Sequence, residues 1–123
     1  MLVVYLVGPL RAATHWKIEQ NVRRAETMAL CVWKAGAVCV CPHLNTRFFQ
    51  GECPDQIWLN GGLELLERSD AILLLPGWKH SKGSRVEKHR AELLGVPIFF
   101  TFPALKTWII GGTNTSHDEE TTS

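Results

Sequence analysis

The chain has 123 residues, of which 46% are hydrophobic and 20% are charged, and its formal net charge is +1. Such a composition is typical of one globular domain. The chain lacks the excess of basic residues that nucleic-acid-binding proteins use to hold the phosphate backbone. The apolar start MLVVYLV ends at Gly8 and is far too short to span a membrane. We therefore expect neither a nucleic acid nor a membrane among the partners.

The four cysteines are Cys31, Cys39, Cys41 and Cys53. A chain of this size folds without disulfides, so reduced thiols in the cytoplasm are the natural interpretation. CVCPH together with Cys53 has the residue types of a zinc site, but it lacks a CxxC pair, and its two cysteines sit in an apolar, strand-like run. We expect no metal and no other cofactor.

In the first half of the chain, two strand patterns enclose one helix pattern. The β-rich run LVVYLV predicts the first strand, which the loop GPLRAATH ends. From Trp16 to Ala35, apolar residues recur at three- and four-residue steps, which predicts an amphipathic helix that stops at Gly36. AVCVCP predicts a buried second strand, and the long polar and aromatic connection HLNTRFFQGECPD follows it.

The second half of the chain continues the alternation. We predict a helix from Ile57 to Arg68, a third strand at AILLLPG, a helix from Ser84 to Leu94, and a further strand at VPIFFTF. LKTWII is interpreted as a short edge strand. GGTNTSHDEETTS has almost no apolar residue and predicts a mobile polar tail, so the domain covers residues 1–110 and the tail residues 111–123.

The order of these elements predicts an α/β fold. Apolar strands separated by helices form a parallel sheet covered on both faces, with right-handed crossovers. Ligands bind such sheets beyond the carboxyl ends of the strands, where the strand order reverses. The loops at these ends carry residues suited to a small-molecule pocket: Arg11, Arg47, His15, His43, Trp78, several serines and, one turn further on, Glu87.

Glu87 has two interpretations that its position alone does not separate. SRVE fits a capping box, in which Ser84 caps a helix and Glu87 reaches back to the cap's amide. A carboxylate in the first turn of a helix is also stabilised by the helix dipole, so it stays ionised and can serve as a nucleophile facing the pocket.

The other loop residues also allow both a structural and a functional interpretation. Arg11 is either a solvated loop residue or, with the glycines and hydroxyls of Gly8, Ser81, Gly83 and Ser84, part of a phosphate site. Neither GxGxxG nor GxxxxGK[ST] is present. Trp78 either covers the end of the sheet or stacks on a base, and His43 is either a structural histidine or a substrate contact. Tyr5 fits the core, where its hydroxyl needs a partner.

Three segments resemble the nucleoside 2-deoxyribosyltransferase-like superfamily, in particular its small members of unassigned function: VYLVGPLR, NVRRAETMALCVWKAGAVCVCPHL and SDAILLLPGWKHSKGSRVEKHRAELLGVPIF. The resemblance covers about residues 3–102. It implies a flavodoxin-like or Rossmann-like three-layer sandwich with four to five parallel strands, and a homodimer or larger assembly. It also implies cleavage of an N-glycosidic bond, by hydrolysis or transfer, with Glu87 attacking the sugar and Tyr5 orienting Glu87.

Within that family, Ser81 and Arg11 are similar to residues of the branch that hydrolyses deoxynucleoside 5'-monophosphates, so a nucleotide is the implied substrate. The substrate-binding residues that this interpretation selects are Gly8, Pro9, Leu10, Arg11, His43, Trp78, Ser81, Gly83 and Ser84.

The chain departs from the family pattern at Gly62, where the family usually has a second carboxylate that helps to protonate the leaving base. Asn60, Glu64 and Asp70 could compensate, although none is at the matching position. Two alternatives stay open: Gly62 favours a nucleotide-binding or sequestering module without turnover, and the shared type of bond allows an enzyme similar to NAD glycohydrolases.

Overall fold

The computed structural model describes residues 1–111, and the predicted tail therefore lies outside the described residues except for Gly111. The strands are β1 (Val3–Val7), β2 (Val38–Val40), β3 (Ala71–Leu74) and β4 (Ile98–Phe99). The helices are α1 (His15–Lys34), α2 (Pro42–Asn45), α3 (Asp55–Glu67), α4 (Lys82–Leu94) and α5 (Phe102–Gly111), and a 3₁₀ turn (Trp78–His80) precedes α4. The division between domain and tail stays a prediction.

All four strands form one parallel sheet in the order β2-β1-β3-β4. Because β2 and β3 lie on opposite sides of β1, the chain reverses its direction of winding there. The carboxyl ends of β1 and β3 therefore border the crevice in which such sheets bind ligands. The predicted α/β fold with a parallel sheet of four to five strands is confirmed.

Alternate residues of the strands build two separate cores, because successive side chains of a strand point to opposite faces. Val4 and Leu6 of β1 pack with residues of α1 and α5, among them Val32 and Trp108. On the other face, the core is made by residues of β1, β3, α3 and α4 together with the 3₁₀ turn: Tyr5, Val7, Leu66, Ile72, Leu74, Trp78 and Ala91. The sheet is thus the middle of three layers.

Helix α3 begins at Asp55 rather than at the predicted Ile57, and two further predicted elements differ from the structure. LKTWII is not an edge strand but lies within helix α5, where Leu105 and Trp108 are buried one turn apart against the sheet. Helix α4 begins at Lys82, earlier than the predicted Ser84, because Ser81 is its N-cap. The long connection after β2 also contains the single turn α2, which has Pro42 at its first position.

Among residues 1–111, no helix combines the length and apolar character that crossing a membrane requires.

Candidate functional site

The loops that follow β1, β2 and β3 meet beyond the carboxyl ends of these strands. A Cβ atom at Gly8 would lie 2.8 Å from Cβ of Leu75, so the first loop passes directly over the end of β3 and needs a glycine there. A Cβ atom at Gly77 would lie 3.3 Å from Cγ of Pro9. The ring Nε2 of His43, from the loop after β2, is 3.0 Å from the carbonyl oxygen of Pro9.

His43 holds the loop after β1 in place through a hydrogen bond to its main chain. A carbonyl oxygen can only accept, so Nε2 of His43 carries the proton and donates it to Pro9. His43 is buried, and this burial lowers its pKa, although the contacts with the carbonyls of Pro9 and Gly8 act in the opposite direction. The ring is therefore neutral near pH 7. Its Nδ1 atom is buried without a hydrogen-bond partner among residues 1–111.

Two further residues hold the same loop, and sequence analysis did not identify either. The Nδ2 atom of Asn21, on α1, donates to the carbonyl oxygen of Leu10 at 3.0 Å. Asp55, the first residue of α3, forms an ion pair with Arg11 in which Nη2 and Oδ1 are 2.5 Å apart, and both side chains are more than half exposed. Asp55 falls in the predicted connection before the helix from Ile57, and the structure begins α3 two residues earlier. Nothing in the sequence pattern around Asn21 marks that residue.

The other charged loop residues do not join this group. Arg47 pairs with Glu19 of α1 and lies over the ring of Phe48, with its Cζ atom 4.9 Å from the ring centroid. His15 is the first residue of α1 and is exposed.

The start of α4 differs from the predicted capping box. Ser81, not Ser84, is the N-cap, and its Oγ atom accepts a hydrogen bond from the amide of Ser84 at 3.2 Å. Ser84 thus lies inside the first turn, and Glu87 lies in the second. Both the capping-box interpretation and the stabilisation of Glu87 by the helix dipole are therefore wrong, because the dipole effect fades beyond the first turn.

Glu87 instead accepts a hydrogen bond from Tyr5. The hydroxyl of Tyr5 donates to Oε2 of Glu87 at 2.5 Å. Tyr5 is fully buried in the middle of β1, and α4 carries Glu87 over the same face of the sheet. The two residues are 82 positions apart in sequence, so only the parallel topology brings them together.

Burial raises the pKa of Glu87 from 4.5 to about 7, and the hydrogen bond from Tyr5 partly opposes this rise. The same burial, with the carboxylate nearby, raises the pKa of Tyr5 far above its ordinary value, so Tyr5 remains the donor. Glu87 is thus partly protonated near neutral pH, whereas the helix-dipole argument predicted a fully ionised group. Displaced pKa values of this kind are common where a carboxyl group takes part in catalysis.

Gly62 of α3 lies directly against this pair. A Cβ atom at Gly62 would be 2.7 Å from Oη of Tyr5 and 3.5 Å from Oε2 of Glu87. None of the three residues considered as substitutes for a second carboxylate bonds to the pair. Asn60 accepts from Gln56, Glu64 accepts from Arg68, and Asp70 accepts from the amide of Val3 at the amino ends of β1 and β3.

Trp78 is a core residue. It is 7% exposed, its ring centroid is 6.2 Å from that of Phe100, and the Nζ atom of Lys88 is 5.2 Å from its centroid. The structure places Trp78 as a cover over the end of the sheet, and the stacking of its face on a base stays a prediction.

Ser84 and Gly83 border the first turn of α4 in different ways. Ser84 is 1% exposed, and its Oγ atom has no hydrogen-bond partner within the described part of the chain. Buried hydroxyl groups are nearly always paired, so an unpaired one indicates a place for a ligand or a water molecule. Gly83 is exposed, and a Cβ atom there would meet nothing within 4 Å, so the approach to its backbone is open.

The cysteines show no arrangement for a metal. All four are free thiols, and burial raises the pKa of Cys39 to about 12 and also raises the pKa of Cys41. Over residues 1–111, no group of three or more His, Cys, Asp or Glu side chains could hold an ion.

Two open hollows, of about 370 and 480 Å³, lie on the outer faces of α4 and α1, and neither is lined by Tyr5, Gly62 or Glu87.

Comparison with known proteins agrees with the architecture. A 2-deoxyribosyltransferase from the psychrotolerant bacterium Bacillus psychrosaccharolyticus has a similar fold, with a TM-score of 0.60 and 17% sequence identity over 78% of this chain and 69% of that one. This likeness agrees with the fold that the sequence resemblance implied. No curated protein matches the chain. Residues 2–100 match the family described as domain of unknown function DUF4406, and the chain therefore belongs to the DUF4406 family.

Proposed function

We propose that the protein is an N-glycosidase that cleaves the bond between sugar and base in a (deoxy)nucleoside 5'-monophosphate, with Glu87 as the nucleophile. The observation that carries the proposal is the hydrogen bond of 2.5 Å from the buried Tyr5 hydroxyl to Oε2 of Glu87. This bond orients the carboxyl group and leaves Oε1 available for attack. The fold is similar to that of a 2-deoxyribosyltransferase, and sheets of this kind bind ligands beyond the carboxyl ends of their strands, which supports a nucleophile on the face that Tyr5 and Glu87 share.

The proposed reaction has two steps. In the first step, an oxygen of ionised Glu87 bonds to C1' of the sugar while the bond from C1' to the base nitrogen breaks. The base leaves with the electron pair and takes a proton from water. In the second step, water hydrolyses the glycosyl ester and regenerates Glu87, or another base accepts the sugar. Because only the ionised group attacks, base release should rise with pH through about 7.

The residues around the first turn of α4 fit a phosphate group. The unpaired hydroxyl of Ser84 can donate to an anion, and Ser81, whose oxygen accepts from the amide of Ser84, still has its own proton to donate. Arg11 is engaged with Asp55, but a surface ion pair contributes little, so a phosphate can compete for the guanidinium.

We further propose that the enzyme works as a homodimer or larger assembly, which a measurement of its mass in solution by light scattering tests.

The test is a screen of nucleosides, nucleoside 5'-monophosphates and NAD for base release, read by chromatography. We expect release from at least one deoxynucleoside monophosphate, slower release from the matching nucleoside, and no release by the Glu87→Gln variant. Gln keeps the size of the side chain and its acceptor for Tyr5, so loss of turnover in a folded variant reports on the nucleophile. Equal release by both proteins would overturn the proposal.

The second candidate is a nucleotide-binding module without turnover, and Gly62 favours it because the pair has no second carboxylate to protonate a leaving base. Calorimetry on the same compounds separates the two functions. Tight binding of a monophosphate without release of its base supports the module, whereas release of nicotinamide from NAD indicates an enzyme of the NAD glycohydrolase type.

A further inference from the structure

Helix α3 contains two adjacent glycines that face different surroundings. Gly62 is buried, and a Cβ atom there would lie 2.7 Å from Oη of Tyr5, closer than side-chain carbons approach in proteins. Gly61 is exposed, and a Cβ atom there would meet nothing within 4 Å. The two positions therefore form a natural comparison within one turn of one helix.

Neither the helix nor its backbone conformation explains a glycine at position 62. Glycine is the poorest helix-forming residue after proline, so it weakens α3 at this point. Among residues 1–111 the glycines with positive φ angles are Gly36, Gly51, Gly77 and Gly95, so the backbone at Gly62 is one that any residue adopts. The remaining reason is space for the hydroxyl of Tyr5.

Tyr5 cannot easily give way to a side chain on α3. Its ring is fully buried in the core formed with Leu66, Ile72 and Ala91, and the hydroxyl moves only if the whole ring swings. Any swing of that kind lengthens the hydrogen bond from Tyr5 to Glu87, which is already at its shortest useful length of 2.5 Å.

We infer that Gly62 is a positioning residue, which keeps α3 close enough to hold the Tyr5 hydroxyl on Glu87 and cannot be replaced by a carboxylate while that bond exists. The site is then built around one carboxyl group, and adding the second one that the resemblance leads one to expect would damage it. This inference deepens the proposed function and rests on it only where turnover is concerned.

The first experiment titrates the carboxyl carbon of Glu87 by ¹³C NMR in the wild type, Gly62→Ala and Gly61→Ala. We expect Gly62→Ala to raise the pKa of Glu87 by about half a unit or more, because it removes the hydrogen bond that lowers this pKa. Tyr5→Phe should raise it in the same way, and the matched control Gly61→Ala should leave it at the wild-type value. A folded Gly62→Ala protein that titrates like the wild type would overturn the inference.

The second experiment compares melting temperatures and covers the case in which Gly62→Ala folds poorly. In the wild-type background, Gly62→Ala should lower the melting temperature and Gly61→Ala should keep or raise it. In the Tyr5→Phe background, Gly62→Ala should no longer lower it, because the nearest ring atom, Cζ, is at an ordinary distance of 3.9 Å. An equal loss in both backgrounds would show that the hydroxyl is not what Gly62 accommodates.

Neither experiment uses turnover, so a protein that releases no base leaves the inference intact, and a failed inference leaves the proposed glycosidase intact. Where base release is observed, Gly62→Asp should lower kcat by about a hundredfold or more, on the order of the loss of one positioned catalytic group. A higher kcat in that variant would contradict the inference.

Discussion

Glu87 is subject to two opposing influences. Its burial favours the neutral form and raises its pKa to about 7, whereas the hydroxyl of Tyr5 favours the charged form. A carboxyl group with a pKa near 7 changes its charge over the range in which most assays are done. Both the stability of the fold and the proposed reaction therefore depend on pH through this one side chain.

We expect Glu87→Gln to be more stable than the wild type above pH 7 and equally stable below the ordinary pKa of 4.5. Between these values the folded protein keeps a proton that the unfolded chain has lost, so the wild-type stability falls as the pH rises and is then constant. The difference in free energy of unfolding should reach at most about 3 kcal/mol. Urea denaturation across this range measures it.

His43 titrates in an overlapping range with the opposite sign, because its lowered pKa makes the fold lose stability as the pH falls. It is present in both proteins, so its contribution cancels in the difference between them. A difference that does not change with pH would show that Glu87 titrates normally.

For Arg11, we expect a selective effect on phosphorylated substrates. Arg11→Ala should raise KM for a deoxynucleoside monophosphate by about tenfold or more and leave KM for the nucleoside unchanged, since the charge serves only the phosphate. Asp55→Asn is the matched control: it frees Arg11 from its ion pair and should not weaken monophosphate binding. Initial rates measured on both substrates give the two KM values, and an equal rise in KM for both substrates would count against a contact between Arg11 and the phosphate.

The start of helix α4 shows how local patterns can mislead. Ser81 and Ser84 are both capping residues by type, and SRVE reads as a capping box for the second. The 3₁₀ turn Trp78–His80 decides between them, because it delivers the chain to Ser81 in an extended conformation suited to an N-cap. Short turns of this kind have weak sequence signals.

This difference has a measurable consequence for stability. Ser81→Ala should lower the free energy of unfolding by about 1 kcal/mol, because it removes the acceptor for the Ser84 amide. Ser84→Ala should be nearly neutral, since its hydroxyl has no partner in the described part of the chain. Chemical denaturation of both variants tests this, and the reverse order would restore the capping-box interpretation.

The segment LKTWII predicts a strand, although the sequence just before it contains a helix start signal. Thr101 accepts from the amide of Ala104 at 3.4 Å, and Pro103 lies in the first turn, a position that proline favours. The apolar run LKTWII fits a strand or a buried helix equally well when read alone. Contact between Trp108 and Phe99, with ring centroids 5.2 Å apart, favours the helix in the folded protein.

Much of the architecture follows from the sequence, and the site follows only in part. Apolar strands alternating with amphipathic helices leave few arrangements other than a parallel sheet, so the layers could be predicted. Glu87 and Tyr5 could be named from the resemblance. The contact of Gly62 with Tyr5 could not, because it depends on how closely α3 approaches the sheet, and no local pattern encodes that distance.

The two cores should respond separately to mutation. Trp108 packs on the face opposite Tyr5 and Glu87, so Trp108→Ala should lower the free energy of unfolding by about 3–5 kcal/mol and leave the pKa of Glu87 unchanged. Urea denaturation and the ¹³C titration of the folded variant measure the two effects. A shifted Glu87 titration would show that the sheet transmits changes between its faces.

Both borders of the sheet are very short, with three residues in β2 and two in β4. A strand of another molecule could form main-chain hydrogen bonds with only two or three residues of either edge strand, which is too few for stable pairing. The shortness of both edge strands thus discourages ordered aggregation by strand addition, a common hazard of open sheets.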